Sequence, residues 1–154
     1  MFKNKKIISW VLLVSWMCFI FFMSHQPGNV SSNQSDLVLK IFSFIGIELN
    51  DYFGEIATFI VRKTAHFSEY FILYLLSYNV FRYYIKDKKY SIYLILFVAS
   101  YAISDELHQA FIPGRGPALR DVLIDTSGGV FAHIITRLFY KFKLLKLKKE
   151  VVEV

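Results

Sequence analysis

Apolar residues run from Ile7 to Met23 interrupted only by Ser9 and Ser15, and three further apolar stretches follow at 57–84, 90–111 and 122–140. Each is long enough for a helix to cross a hydrocarbon core. The pattern predicts an all-α integral membrane protein with four transmembrane helices. The first stretch follows Lys3, Lys5 and Lys6, a layout shared with signal peptides. No small-residue cleavage site comes after it, so it is expected to stay as the first span. Between the first two spans, Leu37, Val38, Ile41, Phe42 and Ile45 recur at helical spacing behind Ser35, a candidate N-cap. This predicts a short helix, lying in the outer interface or packing over the bundle.

Composition agrees with a membrane setting. The chain of 154 residues is 55% hydrophobic and only 19% charged, against about a quarter charged in an ordinary soluble domain. At this length one domain over 1–154 is expected. The formal net charge of +6 could suggest nucleic acid, but the basic residues sit in short blocks beside apolar segments, the way topology is encoded. A nucleic-acid partner is not expected. Cys18 is the only cysteine and lies inside the first span, so neither a disulfide framework nor a cysteine metal site can form within the chain.

Three spans carry charge. Arg62, Lys63, His66 and Glu69 lie early in the second, Asp105, Glu106 and His108 late in the third, and Asp121 and Asp125 early in the fourth. If the helices alternate in direction, these clusters share one side of the membrane. Placing both termini in the cytoplasm puts inside the blocks before the first span, between the second and third (Arg82, Lys86, Lys88, Lys89) and after the fourth. That leaves only Lys40, Arg62, Lys63, Arg115 and Arg120 elsewhere. The polar clusters then face outward, and the tail 141–154 reads as a basic cytoplasmic extension able to touch anionic lipid.

An ionisable group in hydrocarbon costs several kcal/mol, so each cluster is a candidate site. Helical periodicity places Arg62, His66 and Glu69 on one stripe, with Lys63, His66 and Tyr70 on an overlapping one. Snorkelling to headgroups accounts for Arg62 and Lys63. It does not account for Glu69, two turns deeper. Asp105 shares a face with His108 and Gln109, while Glu106 points elsewhere, toward Pro113-Gly114-Arg115. Asp121 could cap its helix, but Asp125 lies too deep for that. His133 reads as a packed or bonded histidine. Acid-x-x-His spacing occurs in helix-bundle metal sites, but interhelical charge pairing accounts for it as well, and no metal or other cofactor is assigned. Arg115 and Arg120 suit bidentate contact with phosphate or carboxylate.

Four motifs together resemble the VanZ family of small bacterial membrane proteins. They are Ser24-His25-Gln26-Pro27-Gly28, Arg62-Lys63-x-x-His66-x-x-x-Tyr70, Ser104-Asp105-Glu106-x-x-Gln109-x-Phe111-x-Pro113-Gly114-Arg115 and Asp121-x-x-x-Asp125-x-x-Gly128. The chain departs from the pattern at Asp125, where many members are expected to carry Asn. The resemblance implies a role in the bacterial cell membrane, in resistance to glycopeptide antibiotics, teicoplanin in particular, or in envelope stress.

The residues themselves favour binding of an anionic, lipid-anchored envelope component in an outward-facing cavity. Arg62, Lys63, Tyr70, Gln109, Arg115, Arg120 and Asp121 form the candidate ligand set. His66, Glu69, Asp105, Glu106, His108 and Asp125 are the candidate acid/base or orienting groups. An undecaprenyl-linked precursor or an anionic phospholipid suits this charge arrangement. Two rivals remain: an enzyme acting on a lipid phosphate or cell-wall precursor with His66 or His108 as general base, and a structural assembly factor whose clusters pair internally. Four spans without an inverted repeat argue against a secondary transporter.

Overall fold

The computed structural model describes residues 2–85 and 90–152, with side chains placed over 4–85 and 90–143. Its helices are α1 (Phe2–Ser24), α2 (Gly28–Phe44), α3 (Leu49–Phe53), α4 (Ala57–Phe81), α5 (Tyr90–Gln109) and α6 (Leu119–Val152), with one 3-10 turn at Gly54–Ile56. No strand occurs among the described residues.

Pro27 separates α1 from α2, because a proline disfavours helical backbone in the residue before it. The chain re-enters a helix at once. Gly28 N–H crosses to the Pro113 carbonyl at 3.1 Å, and Ser31 N–H closes the first turn on the Pro27 carbonyl at 3.1 Å. The expected start at Ser35 is therefore corrected: α2 begins two turns earlier. Ser35 lies mid-helix, buried, with its hydroxyl donating to the Ser31 carbonyl at 3.2 Å. Serine often bonds back one turn in this way when it is not capping. The helix stops where Gly46 turns left-handed (φ 84°). There Gly46 N–H meets the Ser43 carbonyl and Ile47 N–H the Phe42 carbonyl, both at 2.9 Å.

Side-chain contacts fix the helix directions. Trp10 Nε1 donates to the Tyr84 hydroxyl and Trp16 Nε1 to the Glu69 carbonyl, both at 3.0 Å, so α1 and α4 are antiparallel. α5 returns beside α1, where the Tyr101 hydroxyl donates to the Met17 carbonyl at 2.7 Å and Gln109 Nε2 to Ser24 Oγ at 2.9 Å. α6 runs parallel to α4, with Lys63 beside Asp121 and Tyr74 bonded to His133 Nδ1 at 2.7 Å. The four long helices thus alternate in direction. Removing the Tyr101 hydroxyl gives a direct measure of the α1–α5 junction. Tyr101→Phe is expected to cost ~1 kcal/mol, the net worth of one such bond, read as a small drop in the thermal unfolding midpoint in detergent.

The core is built from Leu13 and Ile20 of α1, Tyr70, Leu73, Tyr74 and Val80 of α4, Leu94, Val98 and Ala102 of α5, and Ala132 of α6. Outward, α1 exposes Ile8, Val11 and Phe22, α5 exposes Ile92, Leu96 and Ile103, and α6 exposes Leu123, Phe131 and Leu138. Patches of this extent are what a membrane interior covers. Asn4–Ser24, Tyr90–Gln109 and Leu119–Lys143 are long and apolar enough to cross one. The molecule has the make-up of a multi-pass membrane protein.

The expectation of four spans is met clearly by three. α4 has the length, at 25 residues, but Arg62, Lys63, His66 and Glu69 dilute its apolar character. These residues are tolerated because α4 is the most enclosed helix, packed against α1, α2, α5 and α6. Helix ends also differ from the expected bounds. α4 stops at Phe81 and α5 at Gln109, while α6 starts at Leu119 and passes through the expected tail as far as Val152. Lys86, Lys88 and Lys89, counted above in the inner basic blocks, lie outside the described residues, as do the side chains of Lys3, Lys146, Lys148 and Lys149.

Candidate functional site

At one end of the bundle the polar clusters meet. α4 contributes Arg62, Lys63, His66 and Glu69 from successive turns of one stripe. The last turn of α5 supplies Asp105, Glu106 and Gln109, and the first turns of α6 supply Asp121 and Asp125. Lys63 Nζ lies 2.6 Å from Asp121 Oδ2, and Arg120 Nε lies 3.7 Å from Asp121 Oδ1. Asp125, wholly buried, faces His66 Nδ1 at 3.4 Å. That separation is an ion pair only when the imidazole is protonated, and it is long for a hydrogen bond. Gln109 Nε2, besides its bond to Ser24, donates to Asp105 Oδ2 at 3.1 Å. Glu106 Oε2 accepts the Ala118 N–H at 2.8 Å, which pins the start of α6 to the end of α5.

The turn at Pro113-Gly114-Arg115 folds back over this end. Arg115 turns inward rather than toward solvent, donating from Nη2 to the Met23 carbonyl at 3.4 Å. Burial, and next the neighbouring Arg62 guanidinium, push Arg115 below the ordinary arginine range. A guanidinium stays charged regardless. Two cations are thus held close together. Among the described residues neither Arg62 nor Arg115 has a carboxylate within ion-pair distance.

Two cavities open on either side of this pair. One, of about 140 Å³, lies among α1, α2, α4 and α5 and is lined by Ser24, Ser31, Gln34, Ser35, Glu69 and Asp105. The other, of about 210 Å³, is lined by Lys63, Gln109, Gly116, Arg120 and Asp121. Arg62, His66 and Arg115 border both. Several buried polar atoms here lack a hydrogen-bond partner within the protein: Arg62 Nε, His66 Nδ1, the Tyr70 hydroxyl, Glu106 Oε1 and both oxygens of Asp125. Buried polar groups are normally satisfied. Two of these residues, Arg62 and His66, border both cavities, which puts unsatisfied polar groups beside the open space a polar ligand would need.

A family model described as VanZ/LLP1 matches residues 9–140. The chain belongs to the VanZ/LLP1 family. No curated protein and no solved structure matches it. The region matched in this VanZ/LLP1 member contains all of the clustered residues.

Most of the expected site residues gather at this end. His108 does not join them. It turns toward α1, its Nε2 lying 3.0 Å from His25 Nδ1, with the Phe21 ring tilted against it, centroids 4.6 Å apart. Arg120 leans out over the Phe59 ring, 4.8 Å from its centroid. His133 bonds Tyr74 in the opposite half of the bundle. Sequence reading missed Ser24, Ser31, Gln34 and Ser35, which wall the smaller cavity. The i, i+4 spacing of Ser31 and Ser35 was the available signal, hidden by taking Ser35 as the start of its helix. Among the described residues no three His, Cys, Asp or Glu side chains gather as a metal site would need.

Proposed function

We propose that this VanZ/LLP1 member binds an anionic, lipid-linked component of the bacterial cell envelope in the polar end of its bundle. The supporting observation is the imbalance among the cations. Lys63 and Arg120 are both drawn to Asp121, whereas among the described residues neither Arg62 nor Arg115 has a carboxylate within ion-pair distance. Paired guanidiniums match the geometry of phosphate. In this reading α4 is a fourth span, both termini are cytoplasmic and the site faces outward, following the placement of basic blocks. An undecaprenyl-linked precursor or an anionic phospholipid supplies the phosphate. Through that ligand the protein contributes to teicoplanin resistance or to envelope stress.

Binding of phosphatidylglycerol and of undecaprenyl phosphate to detergent-purified protein tests the proposal. Arg115→Ala should weaken binding ~10–100-fold, the equivalent of losing a hydrogen bond to a charged group. The same substitution should lower teicoplanin tolerance in cells that depend on this protein. Unchanged binding together with unchanged susceptibility would overturn the reading.

One observation favours an enzymatic version. Asp125 lies 3.4 Å from His66 Nδ1, and the ring borders both cavities beside the two arginines. An imidazole backed by a buried acid beside two arginines has the parts of a general base. Release of product from a labelled lipid phosphate, lost in His66→Gln, distinguishes hydrolysis from binding alone.

A further inference from the structure

The polar cavity abuts an apolar groove. Between α2, α3 and α4 runs a cleft of about 390 Å³, walled by Val38, Phe42, Ile60, Val61, Thr64 and Ala65 among others, almost entirely apolar. Val38, Val61 and Ala65 also line the 140 Å³ cavity that holds Arg62, His66 and Arg115. One face of the α2–α4 contact is thus hydrocarbon-like and the other end carries guanidiniums, serines and an amide. The two compartments share a wall of three small or branched apolar side chains.

We propose that this groove seats the hydrocarbon chain of a bilayer lipid whose anionic phosphate lies against Arg62 and Arg115, so that the ligand arrives sideways, between α2 and α4. The inference rests on the anionic-lipid reading above and adds its route and its second contact. A phosphate must leave the headgroup layer to reach half-buried arginines, and its tail must not be dragged through water on the way. A groove that adjoins the cavity across the shared wall of Val38, Val61 and Ala65 eases that difficulty, because the tail can stay in apolar surroundings while the phosphate reaches the arginines. It adds little hydrophobic affinity, because lipid tails are already in an apolar medium. Its contribution is guidance and packing, while selectivity comes from the charged end. Charge complementarity fixes the occupant: a lipid without a phosphate gains nothing from the arginines, and a free phosphate leaves the groove without a role.

Photo-crosslinking in lipid vesicles tests the assignment. The probe is phosphatidylglycerol carrying a diazirine on its acyl chain, with the equivalent diacylglycerol, which has no phosphate, as the neutral comparison. Crosslinks from the anionic probe are expected to concentrate on Val38, Phe42, Ile60 and Thr64 and to be displaced by unlabelled phosphatidylglycerol. Thr64→Trp fills the groove and should reduce them on the order of tenfold, about 1.4 kcal/mol of obstruction. Arg115→Ala should abolish the preference for the anionic probe. Equal labelling of the groove and of the outer faces of α1 and α5 by both probes would overturn the groove assignment. If Arg115 still governs phosphatidylglycerol binding in that case, the anionic-lipid reading stands alone. Groove labelling indifferent to Arg115 and to headgroup charge would overturn the anionic-lipid reading, and this inference with it.

Discussion

A leucine at position 128 is expected to prevent the bundle from closing. Gly128 sits where α6 lies closest to α4, and a Cβ there would collide with the Phe67 carbonyl and press on the Phe71 amide nitrogen at 3.2 Å. Both obstacles are helix backbone, which cannot swing aside as a side chain does. The neighbouring Gly129 faces α5, where a Cβ would meet Val98 Cγ1 at 2.7 Å. Small residues at such a crossing let helices approach closely in a membrane, where packing rather than hydrophobicity holds them together. Overpacking a tight core costs typically 1–3 kcal/mol, and more where backbone must move. Gly128→Leu should therefore lower the thermal midpoint in detergent by about 10 °C or more, or leave no folded protein to measure. Gly116→Ala is the matched control. Nothing lies within 4 Å of a Cβ there, so its midpoint should not change. Equal stability of the two variants would contradict the close α4–α6 contact.

The second large effect is expected at the His66–Asp125 pair. Asp125 is completely buried, and His66 is its one ion-pair partner among the described residues. Removing one member of a buried pair strands the other, at a cost of ~3–5 kcal/mol. His66→Ala should lower stability by this amount. His66→Ala combined with Asp125→Leu should recover much of it, because the second change removes the stranded acid. Asp125→Asn should be milder than His66→Ala, since the amide keeps the shape and carries no charge. It also restores the residue expected here from the family pattern. Thermal unfolding of the wild type, His66→Ala, Asp125→Leu and the double variant forms a double-mutant cycle. Additive effects would mean that the two side chains do not interact, and the general-base reading of His66 would lose its support.

The membrane character and most helix positions could be read from composition and apolar runs, because these depend on residues within one segment. The common level of the three polar clusters followed from alternation alone. What remained hidden depends on neighbours distant in the chain. Asp105 and His108 share a face of α5, yet Asp105 bonds Gln109 while His108 bonds His25, a residue in the turn after α1. No spacing within α5 could announce that partner. The inward turn of Arg115 was equally unreadable. An arginine at the tip of a Pro/Gly turn suggests contact with headgroups, and only the docking of that turn on Gly28 brings its side chain to Met23. α2 shows the opposite failure. Its apolar stripe was legible, but reading Ser35 as a cap discarded the helical turns that carry the cavity wall.

The parallel pairing of α4 and α6 has a consequence for the order of synthesis. α4 is made before α5, yet the acids facing Lys63 and His66 come from Asp121 and Asp125 of α6, which emerges only after α5. The start of α6 likewise supplies the amide that engages Glu106. A growing chain that has completed only α5 therefore holds Lys63 and His66 without the two acids that face them. Charges that make α4 a poor membrane segment by itself become acceptable once α6 docks. The polar end can be assembled only after translation has passed Asp125, and the step that completes the fold is the same one that creates the binding site.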